Sequence, residues 1–237
     1  EQSSDLIKRT LNSFSGQTYL LTGALRRDET ATEVQHYNSL IIVDKKGSIP
    51  DVYDKHHLVP FGEYIPFENV FNISPIVGFS GFQKGLRPEI LRPTTGPAFI
   101  PLICYEGIFP YMTRNTSGDK NDPNPQWIVN VTNDGWYGDT AGPYQHLAQA
   151  SFRSIEQGLP LVRAANTGVS AIIDSLGRKV ETLPYDTKDS VVQNLPLPYQ
   201  KEVSQHTFYA KTGDWLVFLI LLVLLLPQIY QSSRTGK

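Results

Sequence analysis

The sequence predicts an α/β sandwich, and three observations predict it. Short β-rich runs recur along the chain, a clear amphipathic helix separates two of them, and no internal repeat or low-complexity stretch points to a repeat architecture. The longer runs are apolar enough to imply sheets covered on at least one side. At 237 residues, 40% hydrophobic and 19% charged, the chain can bury one substantial core or two small ones.

In chain order, residues 1–16 (EQSSDLIKRTLNSFSG) read as part of a helix that stops at Gly16, and a chain beginning with Glu1 reads as a fragment. QTYLLTGAL (17–25) and YNSLIIVD (37–44) are β-rich, and KKGS after the second is a turn into DVYDK. PAFIPLICYE (97–106), QWIVNVTND (126–134), LPLVRAAN (159–166), VSAIIDS (169–175) and SVVQNL (190–195) continue the series. PYQHLAQASFRSIEQ (143–157) is the helix: Pro143 suits its first turn, Leu147, Ala148, Ser151 and Ile155 share a face, and Gly158 stops it.

The far end differs. WLVFLILLVLLLPQIY (215–230) carries no charge and shows no polar face, with Trp215 and Tyr230 as interfacial anchors. A buried core helix would also be uncharged, but the aromatic ends favour a membrane span. Its 16 residues reach about 24 Å against a hydrocarbon core of roughly 30 Å, so the span is short, and Pro227 is placed to kink it. Arg234 and Lys237 follow and put the C-terminus in the cytoplasm. The expected division is a domain over 1–211, a transmembrane helix over 212–231 and a cytoplasmic tail over 232–237.

A net charge of −2 with scattered Lys and Arg argues against a nucleic-acid partner. No GxGxxG or GxxxxGK[ST] motif supports a Rossmann or P-loop site. Cys104, the one cysteine, excludes an internal disulfide and a cysteine-based zinc site. His56, His57 and His146 lack metal-ligand spacing, and no metal is assigned.

Cys104 sits in PLICYEGIFP (101–110), after an apolar run and two residues before Glu106. A lone thiol there is commonly a small buried hydrophobe; it becomes a nucleophile where a cation favours the thiolate and a carboxylate can move its proton. YDKHHLVPFGEY (53–64) offers both, with Lys55 just after a strand and Glu63 after Gly62. A solvated loop would not need Val59, Pro60, Phe61, Tyr64, Ile65 and Pro66 around its charges. FENVFNISPIVGFSGF (67–82) is either a covered core loop or a mobile apolar lid that meets an acyl chain or the bilayer.

Taken together, YDKHHLVPFGEY, ICYEGIFP, TNDGWYGDTAGPYQH and RAANTGVSAIID resemble the nitrilase-related catalytic domain of the apolipoprotein N-acyltransferases, over about residues 17–231. The resemblance implies a nitrilase-like four-layer α-β-β-α sandwich, followed by a C-terminal transmembrane helix. It implies a Glu-Lys-Cys triad with Cys104 as nucleophile and Lys55 stabilising the thiolate and the oxyanion, supported by Glu63 and Glu106. No Pro-Glu block of that family occurs in residues 1–16, so the general-base glutamate is expected upstream of residue 1. The pocket is expected to draw on Tyr64, Tyr105, Trp136 and His146. The implied reaction moves an acyl chain from a phospholipid, through a Cys104 thioester, to the amine of a diacylglyceryl-cysteine on a lipoprotein, with no cofactor. It takes place at the bacterial inner membrane with the catalytic domain on the periplasmic side. A nitrilase-type amidase that hydrolyses C–N bonds and a membrane-anchored binding domain without catalysis are the alternatives.

Overall fold

Period-two alternation in the apolar strands builds two sheets and faces them toward each other. A computed structural model describes residues 2–29, 34–66, 81–114, 124–199 and 207–235. Helix α1 (Gln2–Ser13) is followed by β1 (Leu20–Glu29), β2 (Val34–Val43) and β3 (Asp51–Asp54), which form an antiparallel sheet in the order β1-β2-β3. The second sheet has the order β4-β5-β6-β7-β8, from β4 (Phe99–Ile103), β5 (Trp127–Asn133), β6 (Leu161–Asn166), β7 (Ser170–Ile173) and β8 (Lys179–Leu183). Here β4, β5 and β6 run parallel, and β7 and β8 close the edge antiparallel. Between β5 and β6 lies α2 (Gly142–Gln157), and the chain ends in α3 (Phe208–Thr212) and α4 (Trp215–Thr235).

All five residues of β4 are buried, as a strand covered on both faces requires. Phe99 and Ile103 point toward Leu40, Ile42 and Tyr53 of the first sheet, and Val129 of β5 joins them. Ile100 and Leu102 point the other way, into a core with Ile128, Leu161, Ile173 and, from α2, Leu147 and Ala150. The described residues thus stack in successive layers, first sheet, second sheet and α2, as the predicted sandwich requires.

Several expectations shift. SVVQNL (190–195) is not a strand, and Val192 is 99% exposed. The last strand of the second sheet is β8, which returns from β7 through a tight turn in which Asp174 Oδ1 accepts from the N–H groups of Leu176 and Arg178 and Gly177 adopts φ 80°. A five-residue strand this polar gives little hydropathy signal. Helix α2 begins and ends as expected, with Pro143 in its first turn and Gly158 at φ 66°, but a different face is buried. Ala148 and Ile155 are exposed, whereas His146, Leu147, Ala150, Arg153 and Ser154 point inward. Hydropathy alone misplaces this face because His146 and Arg153 are buried through hydrogen bonds, Arg153 Nη1 donating to the Ile108 carbonyl at 2.8 Å.

Most of the expected lid, 67–80, lies outside the described residues. Among the described residues no helix is long and apolar enough to cross a membrane. The part of α4 with described side chains, 215–227, reaches only about 20 Å, and its side chains are all exposed.

Candidate active site

The site is built where the first sheet's last strand meets the second sheet's first. Lys55 directly follows β3 and continues its ladder, its N–H donating to the Asn38 carbonyl at 2.8 Å. That register turns its side chain inward, where it is 1% exposed. A buried ammonium needs a partner, and Nζ donates to Glu63 Oε2 at 2.6 Å. Glu63 is brought back by a tight turn in which its N–H donates to the Val59 carbonyl at 2.8 Å and Phe61 takes a left-handed φ of 61°. Its carboxylate also accepts from the Val59 N–H and the Asn38 side-chain amide, both at 2.8 Å. The pair is therefore a largely desolvated unit whose carboxylate is held by three donors, not a surface ion pair.

Cys104 is the first residue after β4 and opens a short 3-10 turn, Cys104–Ile108. Its φ of 51° is left-handed, a conformation that costs a residue with a Cβ on the order of 1–3 kcal/mol and persists only where the surroundings impose it. Glu106 supplies one such constraint. It is fully buried; its Oε2 accepts from the Ile103 N–H at 2.8 Å, and its Oε1 accepts from the His56 and His57 N–H groups and the Tyr53 hydroxyl at 2.8 to 2.9 Å. Burial pushes the Glu106 carboxyl above the ordinary glutamate range, while these donors pull the other way. Glu106 thus ties the backbone beside Lys55 to the backbone beside Cys104.

Behind Cys104 lies a second buried network. His146, in the first turn of α2, places Nε2 3.2 Å from the Cys104 carbonyl and Nδ1 2.9 Å from Asp134 Oδ1. Asp134 accepts from Arg163 Nη2 at 2.6 Å and from the Thr132 hydroxyl at 3.0 Å. Arg163 also donates to Asn130 Oδ1, and Asn130 Nδ2 donates to the Leu102 carbonyl at 3.1 Å. Burial would raise the Asp134 carboxyl, but His146 and Arg163 outweigh it and hold the group below the usual aspartate range.

Of the residues singled out from sequence, Lys55 and Glu63 touch directly, Glu106 links them to the Cys104 turn, and His146 reaches Cys104 through its carbonyl. His146 is 2% exposed, so it does not line an open pocket; the Asp134 contact draws it inward. Tyr105 stands beside His57 and Phe109, with ring centroids 5.6 and 4.9 Å away. Tyr64 is partly exposed, and Trp136, in the turn Gly135–Tyr137, is 87% exposed and points to solvent. Tyr53, Asn38, Asp134 and Arg163 were not singled out. Arg163 had a readable signal, a single charge inside the apolar run LPLVRAAN.

Residues 15–205 match the carbon-nitrogen hydrolase family. The chain is 44% identical over 220 residues to a protein of Rhodopseudomonas palustris named apolipoprotein N-acyltransferase, an alignment covering 88% of this chain and 39% of that protein. A protein of the same name from Brucella melitensis is 42% identical over 213 residues, covering 87% of this chain and 38% of that one. The chain therefore spans about two fifths of the length of these curated relatives. Among solved structures, Nit3 of Saccharomyces cerevisiae, a member of branch 10 of the nitrilase superfamily, superposes with a TM-score of 0.53 at 18% identity, over 78% of this chain and 62% of that one. That likeness is one of fold.

Proposed function

The chain belongs to the carbon-nitrogen hydrolase family, and from that premise we propose that it carries the catalytic domain of an N-acyltransferase that forms its thioester on Cys104. The observation that carries the reading is the buried Lys55–Glu63 pair tied through Glu106 to a cysteine held in a left-handed backbone. Strain of this kind collects where a group must be presented to a substrate. The names of the relatives point the chemistry toward acyl transfer to a lipoprotein.

In the proposed reaction the Cys104 thiolate attacks an ester carbonyl of a phospholipid, the C–O bond breaks, and the lysophospholipid alkoxide leaves with a proton. The α-amine of a diacylglyceryl-cysteine then attacks the thioester, loses its proton and returns the thiolate, leaving an amide. Lys55 supplies positive charge for the thiolate and the oxyanion. The resemblance gives the thiol proton to the glutamate of the family's triad, and that base passes it to the leaving alkoxide; Glu63 and Glu106 hold the donors around Lys55 and the Cys104 turn. No cofactor enters either step. The exposed apolar surface of α4 supports a seat at the bilayer, and we assign the domain to the outer side of the bacterial inner membrane, with the apolar run of α4 as its anchor.

The test is a half-reaction. Full-length protein incubated with phospholipid and no acceptor should carry a single fatty acyl group on Cys104, found by mass spectrometry and released by neutral hydroxylamine. Cys104→Ala should carry none. Acyl transfer at the normal rate by Cys104→Ala would overturn the reading.

A further inference from the structure

The strained cysteine is gripped from two sides. On its N-terminal side the Ile103 N–H is held by Glu106 Oε2 at 2.8 Å. On its C-terminal side the Cys104 carbonyl, at the start of the 3-10 turn Cys104–Ile108, lies 3.2 Å from His146 Nε2, the side chain that reaches it from α2. A carbonyl oxygen only accepts, so Nε2 carries the hydrogen in this contact. The ring is fixed from behind by Asp134 Oδ1 at Nδ1, and Asp134 by Arg163 and Thr132. Gly168 makes room for the network: a Cβ there would lie 2.2 Å from Asp134 Oδ2, so the carboxylate packs where any other residue would put its side chain. A His–Asp–Arg chain buried this deeply, anchored on β5, β6 and α2, is far more than packing requires, and it ends on one atom of the nucleophile's own backbone.

We propose that His146 is a positioning residue for the nucleophile: its Nε2–H holds the Cys104 carbonyl, fixes the left-handed backbone and so aims the thiol. The inference rests on the reading of Cys104 as nucleophile. Releasing the carbonyl lets Cys104 relax toward an ordinary φ, which swings the Cα–Cβ bond and carries Sγ away from its attack position. A misplacement of about 1 Å costs on the order of a hundredfold in rate without weakening substrate binding.

Two amide variants separate this role from structural support. His146→Gln puts an amide nitrogen near the position of Nε2 and can still donate to the Cys104 carbonyl. His146→Asn puts one near Nδ1 and can keep the Asp134 contact alone. In full-length protein with phospholipid, single-turnover acylation of Cys104 should slow by about a hundredfold in His146→Asn while the phospholipid KM changes by less than about twofold. His146→Gln should recover acylation to within about tenfold of the unmodified protein. Normal acylation by His146→Asn, or an equal loss in both variants, overturns the proposal. Wild-type protein gives a check independent of how the variants fold: ¹⁵N-histidine NMR should show a hydrogen on Nε2 of His146, and an Nε2 lone pair would overturn it. Because the adduct is located in the wild type in the same experiment, an acyl group found elsewhere than on Cys104 sinks the nucleophile assignment itself. An adduct on Cys104 with a fast His146→Asn sinks only the positioning role.

Discussion

A lysine with 1% of its side chain exposed is paired with Glu63 at 2.6 Å, and this sets what its removal does. Lys55→Met should slow acylation by at least about a hundredfold, as expected for loss of one preorganised oxyanion contact. It also strands a buried carboxylate, so the single variant should lose about 3–5 kcal/mol of stability. Lys55→Met/Glu63→Gln should regain much of that stability in urea unfolding while remaining as slow. Recovery of rate in the double variant would show that the lysine serves the fold alone. A second charged residue predicts a pH response. Asp134 sits below its ordinary value of 3.8 in the folded protein, so its stabilising share is present above the unfolded value and is lost as pH falls through the lower folded one. Unfolding free energy measured between pH 5 and pH 2 should therefore fall less steeply in Asp134→Asn than in the unmodified protein. Equal slopes would remove Asp134 from the acid response. Lys55, Glu63 and Cys104 could be picked from sequence because each is chemically odd for its surroundings. Asp134 could not, since an aspartate after a strand is ordinary until its buried partners are seen.

Between elements, Glu106 acts as the fastener, joining the residues after β3 to those at the end of β4. Glu106→Gln keeps the volume but turns one acceptor into a donor. Some N–H or O–H group among Ile103, His56, His57 and Tyr53 then faces another donor, at a cost of about 1–3 kcal/mol. Hydrogen exchange should show the amides of Ile103, His56 and His57 losing protection together. Loss at Ile103 alone would mean the two turns are not coupled through this carboxylate. The strands of the second sheet were legible except where polarity hid β8, because β4 is buried on both faces, β5 nearly so, and β6 on one, and all three carry their apolar runs openly. The buried face of α2 was not legible, since half of it is polar, with His146 and Arg153 reaching partners distant in sequence. Cys104 and Lys55 both stand at strand ends, where register fixes which way a side chain turns.

For the whole molecule, the large apolar side chains of α4 from Trp215 to Leu226 are all left exposed by the described fold. Removing 212–237 should shift much of the chain from the membrane fraction to the soluble one, as measured by sedimentation after detergent-free lysis. A truncated chain that still sediments with membranes would place the anchor elsewhere. Length and composition gave the α/β class, but the order of layers came from which side of β4 each residue takes, a matter of register that composition does not hold. The seam between the sheets carries a consequence for biosynthesis. Lys55 and Glu63 are made with the first sheet, and Cys104 leaves the ribosome about fifty residues after Lys55, on a strand whose parallel neighbours β5 and β6 come later still. The Lys55–Glu63 pair can thus form with the first sheet before Cys104 exists, and the two halves of the seam join only when the sheets dock and the Glu106 carboxylate takes the N–H groups of His56 and His57.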